Sequence, residues 1–179
     1  MITLRQQNES AECPEVALAP WYAIRTKSNC EKMAALSLEN KGYEQYLPLY
    51  RKRRQQSQRA SEIEAPMFPG YVFCRVDLSI PSRIVTTPGV VAIVGFGSNP
   101  MPISDAEISA VKRVLYSGLA AEPCPFLLEG QRIRVVCGAL SGVEGILIKK
   151  KSEFRLLVSV TMLQRSISVE IDREYITGV

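Results

Sequence analysis

The sequence contains no histidine. Histidine is the commonest general base and metal ligand near neutral pH, so its absence excludes a Ser-His-Asp triad, a Cys-His pair and every histidine metal site. The chain also lacks a G-x-x-x-x-G-K-[ST] motif, a G-x-G-x-x-G turn between a strand and a helix, and a local cluster of Asp and Glu. We therefore predict a binding protein without catalytic activity, metal ion or cofactor.

Cysteines are few and scattered. Their odd number, five, and the absence of a C-x-x-C pair argue against a disulfide framework or a structural zinc site. The sequence has no run of about 20 apolar residues, and its first 20 residues lack the apolar centre of a signal peptide. We expect a cytoplasmic protein with reduced thiols, in which Cys74 and Cys137 are small apolar fillers.

Charge and hydrophobic content are moderate. A chain of 179 residues with 46% hydrophobic residues has enough apolar surface for one full core or two modest ones. The net charge of +4 favours contact with nucleic acid or an acidic partner without establishing either. No long apolar edge or heptad pattern is present, so we expect a monomer.

The chain divides into four predicted segments. Residues 1–19 are polar and predict a flexible extension. Residues 20–118 combine strand and helix patterns, and residues 119–128 carry two prolines, which predicts a linker. Residues 129–179 contain four short strand patterns at close spacing, which is typical of a small barrel.

Two helices in residues 20–118 are marked by capping boxes. Ser28 with Glu31 and Ser104 with Glu107 each have the S-x-x-E spacing, in which the two side chains bond to each other's backbone N–H groups. Between these helices, the stretch RKRRQQSQRASEIEAP is polar and lacks a hydrophobic period. It predicts a mobile loop.

The stretch MFPGYVFCRVD predicts a strand with two different faces. Alternation places Val72 and Cys74 on one face, which is typical of a core, and Tyr71 and Phe73 on the other, followed by Arg75. The aromatic pair either lies under a helix of the same chain or forms an apolar patch for a partner. The residue pattern alone leaves both interpretations open.

Two further stretches each allow two interpretations. The basic run Arg51–Arg54 either follows a phosphate backbone or is a solvated loop. In the predicted turn TMLQRS, Met162 and Leu163 are apolar and lie beside Arg165. That composition suits an exposed recognition tip, and a tip folded back onto the protein is the equal alternative.

Several of these stretches together resemble the NusG transcription elongation factors, over residues 20–176. The stretches are WYAIRTK, FPGYVF, TPGVVAIVGF, PISDAEI and EGQRIRVVCGALSGVEGILIKK. The resemblance implies an α+β fold: an α/β sandwich of the NusG N-terminal type, with an antiparallel sheet and helices, followed by a small SH3-like KOW β-barrel. The ending VSVTMLQRSISVEID is more similar to the specialised antiterminators of the UpxY and LoaP type.

The resemblance implies that the N-terminal domain binds the clamp helices of RNA polymerase through the FPGYVF strand. It therefore favours a partner-binding role over a core role for the aromatic pair. The loop after the strand corresponds to the segment that reaches the opposite side of the DNA channel. The implied polymerase-binding residues are Phe68, Pro69, Tyr71, Phe73, Ser79 and Arg83.

Two more contacts are implied by the family. Specialised relatives touch the nontemplate DNA strand in the area that matches Lys27, Arg51, Lys52, Arg53 and Arg54. In the housekeeping protein the barrel tip, here Met162, Leu163 and Arg165, meets termination factor Rho or a ribosomal small-subunit protein. That tip is usually aromatic, so the leucine of this chain makes Rho a doubtful partner and leaves ribosome coupling open.

The sequence thus predicts a specialised transcription antitermination and elongation factor, which suppresses pausing and termination at selected operons. Two rival hypotheses remain: a housekeeping elongation factor that engages Rho and the ribosome, and an RNA-binding KOW module.

Overall fold

The computed structural model describes residues 19–56, 59–78, 82–126, 130–150 and 153–178. The elements of its first part, in chain order, are β1 (Trp21–Thr26), α1 (Glu31–Asn40), β2 (Gln45–Tyr46), β3 (Leu49–Gln56), β4 (Arg59–Pro66), β5 (Tyr71–Arg75), α2 (Ser82–Val85), β6 (Val90–Ile93), β7 (Gly95–Phe96), β8 (Asn99–Pro100) and α3 (Asp105–Tyr116). The central sheet has the strand order β2-β5-β1-β6. β1 pairs antiparallel with both β5 and β6.

The second part consists of strands and two short 3-10 turns, Thr161–Leu163 and Arg173–Tyr175. Its strands are β9 (Ala121–Pro125), β10 (Gln131–Val135), β11 (Glu144–Lys150), β12 (Glu153–Val160), β13 (Arg165–Glu170) and β14 (Ile176–Gly178). They form an antiparallel sheet in the order β14-β10-β11-β12-β13-β9, which we call the barrel. The α+β fold class, with an antiparallel sheet and helices followed by a small barrel, is confirmed.

One face of the central sheet is covered by two helices. Ile24, Val72 and Cys74 are completely buried there, against Leu38 of α1 and Ile84 of α2. The prediction of a core face for Val72 and Cys74 is therefore correct. Cys137 is exposed, so its prediction as a buried filler is wrong. It lies beyond the end of β10, where the alternation of buried and exposed strand residues no longer applies.

The two predicted capping boxes have different outcomes. Ser104 caps α3, and its hydroxyl accepts the Glu107 N–H at 3.2 Å. Ser28 does not cap α1, which begins at Glu31 after a left-handed turn residue, Asn29. The Glu31 carboxylate instead accepts the backbone N–H of Gly70 at 2.8 Å, so it ties the helix to the turn before β5.

The prediction of a mobile loop after Tyr50 is wrong, because this segment forms two strands. β3 and β4 pair as an antiparallel hairpin over their whole length, in a register that sets Arg51 opposite Glu64 and Arg53 opposite Glu62. Basic residues on one strand therefore face acidic residues on the other, an arrangement that stabilises cross-strand pairs. A polar, exposed ribbon of this kind has no hydrophobic period by which a sequence pattern would reveal it.

The segment predicted as a linker also contains a strand. Residues 121–125 form β9, which pairs with β13 over five residues, so residues 117–120 alone connect α3 to the barrel. Pairing β9 with β13 covers a strand edge that would otherwise expose unpaired backbone groups. Residues 1–18 and 127–129 lie outside the described residues.

Within the described ranges, no helix has the length and apolar character needed to span a membrane. The same part of the chain holds no group of three Cys, Asp or Glu residues placed to bind a metal ion.

Replacement of a fully buried ring tests the packing of the sheet. Phe73 is 0% exposed, so we expect Phe73→Ala to lower the free energy of unfolding by about 3–5 kcal/mol. Phe96 is 71% exposed, so Phe96→Ala should change it by less than about 0.5 kcal/mol. Urea unfolding of both variants measures the difference, and equal losses would show that Phe73 is not a core residue.

Candidate functional site

Phe68, Tyr71 and Phe73 form one surface, which we call the aromatic face. The rings of Phe68 and Phe73 meet edge to face with centroids 5.5 Å apart, and Tyr46 stacks against Phe73 at 6.3 Å. Gly70, at φ +86°, allows the turn that brings Phe68 back toward the strand. Tyr71 is half-buried, and the neighbouring Pro69 is exposed.

The barrel lies over the aromatic face. One continuous apolar cluster contains Phe68 and Phe73 together with Val160 and Leu163 of the barrel. The Arg165 guanidinium lies 5.5 Å from the centre of the Tyr71 ring, a cation–π contact between the two parts of the chain. In this conformation the aromatic face is therefore closed rather than presented to solvent.

The tip of the barrel is folded back, which is one of the two alternatives that the sequence left open. Leu163 is 8% exposed, and Met162 and Arg165 are half-buried. No sequence pattern indicates that this tip and the FPGYVF strand meet. The structure brings Arg165 of the tip onto Tyr71 and places Met162 and Leu163 in the same apolar cluster, so the two candidate sites meet within the chain.

Helix α3 holds the barrel in this position through two hydrogen bonds. The Glu107 carboxylate accepts the Thr161 N–H at 3.0 Å, and Arg113 donates to the Ser141 carbonyl. Glu107 is the residue that the capping box assigned to its own helix. Its carboxylate binds the barrel backbone instead of the N–H of Ser104. Sequence analysis missed this role because the S-x-x-E spacing predicts a partner within the same helix.

Charged residues border the aromatic face. Arg75 forms ion pairs with Glu44 and Asp105, and its guanidinium lies 4.9 Å from the centre of the Trp21 ring. The Lys112 ammonium lies at the same distance from Trp21. Arg75 can follow Tyr71 and Phe73 on the same face of β5 because ion pairs compensate its charge, although its side chain is only 14% exposed.

The predicted nucleic-acid residues lie in two places. Arg51 and Lys52 are exposed on β3, and the backbone of Arg53 and Arg54 continues that strand. Lys27 is exposed after β1, where its N–H donates to the Gly89 carbonyl.

Arg51 and Lys52 line a cleft of about 900 Å³ between the hairpin, the end of α3 and β9. Arg51 has a long ion pair of 3.9 Å with Glu62. Both residues therefore border the junction between the two parts of the chain.

Of the two predicted loop residues that follow β5, the structure describes one. Arg83 is exposed on α2, and its carbonyl accepts the Lys41 ammonium at 2.9 Å. Ser79 lies outside the described residues.

A protein family model described as "Transcription termination factor nusG" matches residues 19–112, which include β1, β5 and α3 up to Lys112. The chain belongs to the NusG family. The predicted resemblance to this family is therefore confirmed, together with its broad role as a family of transcription termination and antitermination factors.

Relatives carry the name "Transcription termination/antitermination protein NusG". The protein from Thermus thermophilus is 28% identical over 175 residues, which cover 85% of this chain and 94% of that one. The protein from Buchnera aphidicola is 30% identical over 166 residues, covering 85% and 92%. The protein from Helicobacter pylori strain J99 is 27% identical over 167 residues, covering 84% and 93%.

A solved structure described as "Domain interaction in Thermotoga maritima NusG" has the same fold. It aligns with 89% of this chain and 97% of its own, with a TM-score of 0.50 and 19% sequence identity.

Tyr46 is the titratable residue at the aromatic face with a shifted pKa. Burial raises the pKa of its hydroxyl well above the ordinary value of 10, and nearby Tyr116 adds to the shift. The hydroxyl oxygen is buried and has no hydrogen-bond partner among the described residues. A buried polar group without a partner destabilises the folded state.

Removal of this hydroxyl should stabilise the NusG-family fold. We expect Tyr46→Phe to raise the free energy of unfolding by about 1 kcal/mol at pH 7. Because the folded-state pKa lies above the unfolded value, the stability linked to the protonated hydroxyl is complete below pH 10 and declines as pH rises beyond it. Urea unfolding between pH 7 and 11 should show that decline in the native chain and less of it in the variant. A less stable variant at pH 7 would contradict this account.

Proposed function

We propose that this chain binds RNA polymerase through the aromatic face and suppresses pausing and termination. The observation that carries the proposal is the gathering of Phe68, Tyr71 and Phe73 on one face, closed by a separate barrel on a short connection. Aromatic residues supply a large contact area and are enriched in binding hot spots. The clamp helices of the polymerase are the partner that the family resemblance assigns to these positions.

The mechanism is a shift of population without covalent chemistry. A factor that binds the elongating state of the polymerase more tightly than its paused state favours elongation by the difference between the two affinities. A difference of about 1.4 kcal/mol changes the pause equilibrium tenfold. The barrel closes the aromatic face in the free chain, so binding at this face requires the barrel to move.

The specialised role, of the UpxY and LoaP type, is the form of this function that we propose. Its support is the barrel tip, where Leu163 occupies a position that is usually aromatic in the housekeeping factor. A tip without an aromatic residue lacks the large ring contact expected for Rho, so we propose recruitment to selected operons and leave coupling to a ribosomal small-subunit protein as a secondary role. A housekeeping factor would instead act on all genes and engage Rho.

Recruitment is proposed to use the basic hairpin on the nontemplate DNA strand. Arg51 and Lys52 are exposed on β3 and have the charge needed to bind phosphates. Lys27 belongs to the same proposed contact through the family resemblance. The rival RNA-binding module would place nucleic acid on the barrel instead.

Readthrough of a terminator by the cognate RNA polymerase tests the aromatic face. We expect Tyr71→Ala to lose most of the readthrough that the native chain causes, because a half-buried contact ring is removed. Tyr43→Ala is the matched control, since Tyr43 is also half-buried but packs on the opposite face of the sheet. Phe73 is unsuitable for this test because its loss should destabilise the fold.

Circular dichroism should first show that both tyrosine variants are folded. Equal loss of readthrough in both would indicate a stability effect and remove the support for the aromatic face. If the native chain changes neither pausing nor readthrough, on its own leader sequence as well as a generic one, the polymerase proposal fails.

The salt dependence of DNA binding tests the hairpin. Each phosphate contact to a single strand contributes about 0.7 to the slope of log K against log salt, so Arg51→Gln with Lys52→Gln should lower that slope by about 1.4. Arg132→Gln, at an exposed barrel residue, should leave it unchanged. The binding of the complex of chain and polymerase to single-stranded DNA gives both slopes, and a larger effect of Arg132→Gln would favour the RNA-binding module.

A further inference from the structure

β9 has an unusual place in the chain. It follows α3 after residues 117–120, yet it forms the outermost strand of the barrel, paired with β13 from Ala121 opposite Val169 to Pro125 opposite Arg165. An extended chain advances at most about 3.6 Å per residue, so Tyr116 and Ala121 lie no more than about 18 Å apart, and a barrel that includes β9 stays within that reach of α3. The barrel, about 50 residues, has a diameter of roughly 25 Å. With β9 in place, the barrel cannot move away by its own width.

β9 faces the first part of the chain across two cavities. Ala121, Glu122 and Pro123 line the 900 Å³ cleft together with the β3–β4 hairpin. Pro125 and Arg165 line a smaller cavity together with Met67, the residue directly before the aromatic face. The strand therefore lies between the hairpin and the rest of the barrel.

β9 is less buried than the neighbouring strands β13 and β12. Its Pro123 and Pro125 have no backbone N–H, a composition typical of an edge strand whose N–H side faces solvent. Glu122 and both prolines are exposed, and Ala121 and Cys124 are only half-buried. By contrast, β13 buries four consecutive residues and β12 buries Leu156, Leu157 and Val158, so β9 detaches with a smaller loss of apolar burial than either of these strands.

We propose that β9 is a releasable strap, which must leave β13 before the barrel uncovers the aromatic face. Release extends the connection from Tyr116 to Gln131, about 50 Å when fully stretched, which is enough for the barrel to clear the face. Release also exposes the edge of β13 beside the barrel tip. This inference rests on the proposed function, because it describes how that binding face becomes accessible.

A native cysteine allows β9 to be locked. Cys124 lies directly opposite Ser166 in the β9–β13 register, and directly paired residues on antiparallel strands have the spacing that a disulfide requires. Ser166→Cys therefore permits a disulfide with Cys124 on oxidation. The matched control carries Ser166→Cys with Cys124→Ser, so it has the same change at the buried serine and no partner thiol.

The binding of each chain to RNA polymerase is measured after oxidation, removal of the oxidant and confirmation of the disulfide by peptide mapping. We expect the locked chain to bind at least tenfold more weakly than its reduced form, and the control to be unaffected by oxidation. Equal binding of the locked and reduced forms overturns the strap and leaves the proposed function intact. No binding by the reduced chain or the native chain refutes the proposed function instead.

Hydrogen exchange of the native chain tests the strap without polymerase and without a disulfide. Backbone amides of β13 point alternately toward β9 and toward β12. We expect the amides that face β9 to exchange at least tenfold faster than those that face β12, because β9 opens independently. Equal protection of the two sets means that β9 opens only with the whole barrel, and the strap proposal is then wrong.

Discussion

The burial of Phe73 is the contact on which the rest of the structure depends. β5 is apolar on both faces, so the sheet needs a cover on each side. The helices α1 and α2 cover the face that contains Val72, and they are joined to the sheet by short connections. The face that contains Phe73 is covered by α3 and, beyond it, by the barrel. The barrel therefore packs on the side of the sheet that α1 and α2 do not cover, which is the face that contains Phe73.

Polar contacts determine how the barrel sits on that face, since apolar packing alone has little directional preference. Glu107 and Arg113 both lie on α3 and both bind backbone groups of the barrel, so they specify its position without requiring particular barrel side chains. The contact of Arg165 with Tyr71 adds a side-chain interaction at the barrel tip, beside Thr161. A few hydrogen bonds and one cation–π contact are modest in energy, which is compatible with the proposed opening of this interface.

Sequence patterns predicted those parts of the fold that depend on interactions between residues close together in the chain. The cap at Ser104 and the core face at Val72 follow from spacing and alternation, which act within a few residues. The hairpin with Arg51 was missed because a polar, exposed ribbon has no hydrophobic period, and β9 was missed because prolines are as typical of linkers as of edge strands. Alternation grouped Tyr71 with Phe73 correctly, but it contains no information on which element covers them.

The closed conformation reconciles two demands on the aromatic face. A surface made to bind a partner must be apolar, and an apolar surface left open on a free protein promotes aggregation. A permanent cover would prevent the proposed binding, whereas a barrel held by Glu107, by the contact of Arg165 and by the edge strand β9 would protect the surface and release it when the proposed strap opens. In the proposed mechanism, the closed fraction of molecules lowers the affinity for the partner, so contacts far from the aromatic face would regulate binding at that face.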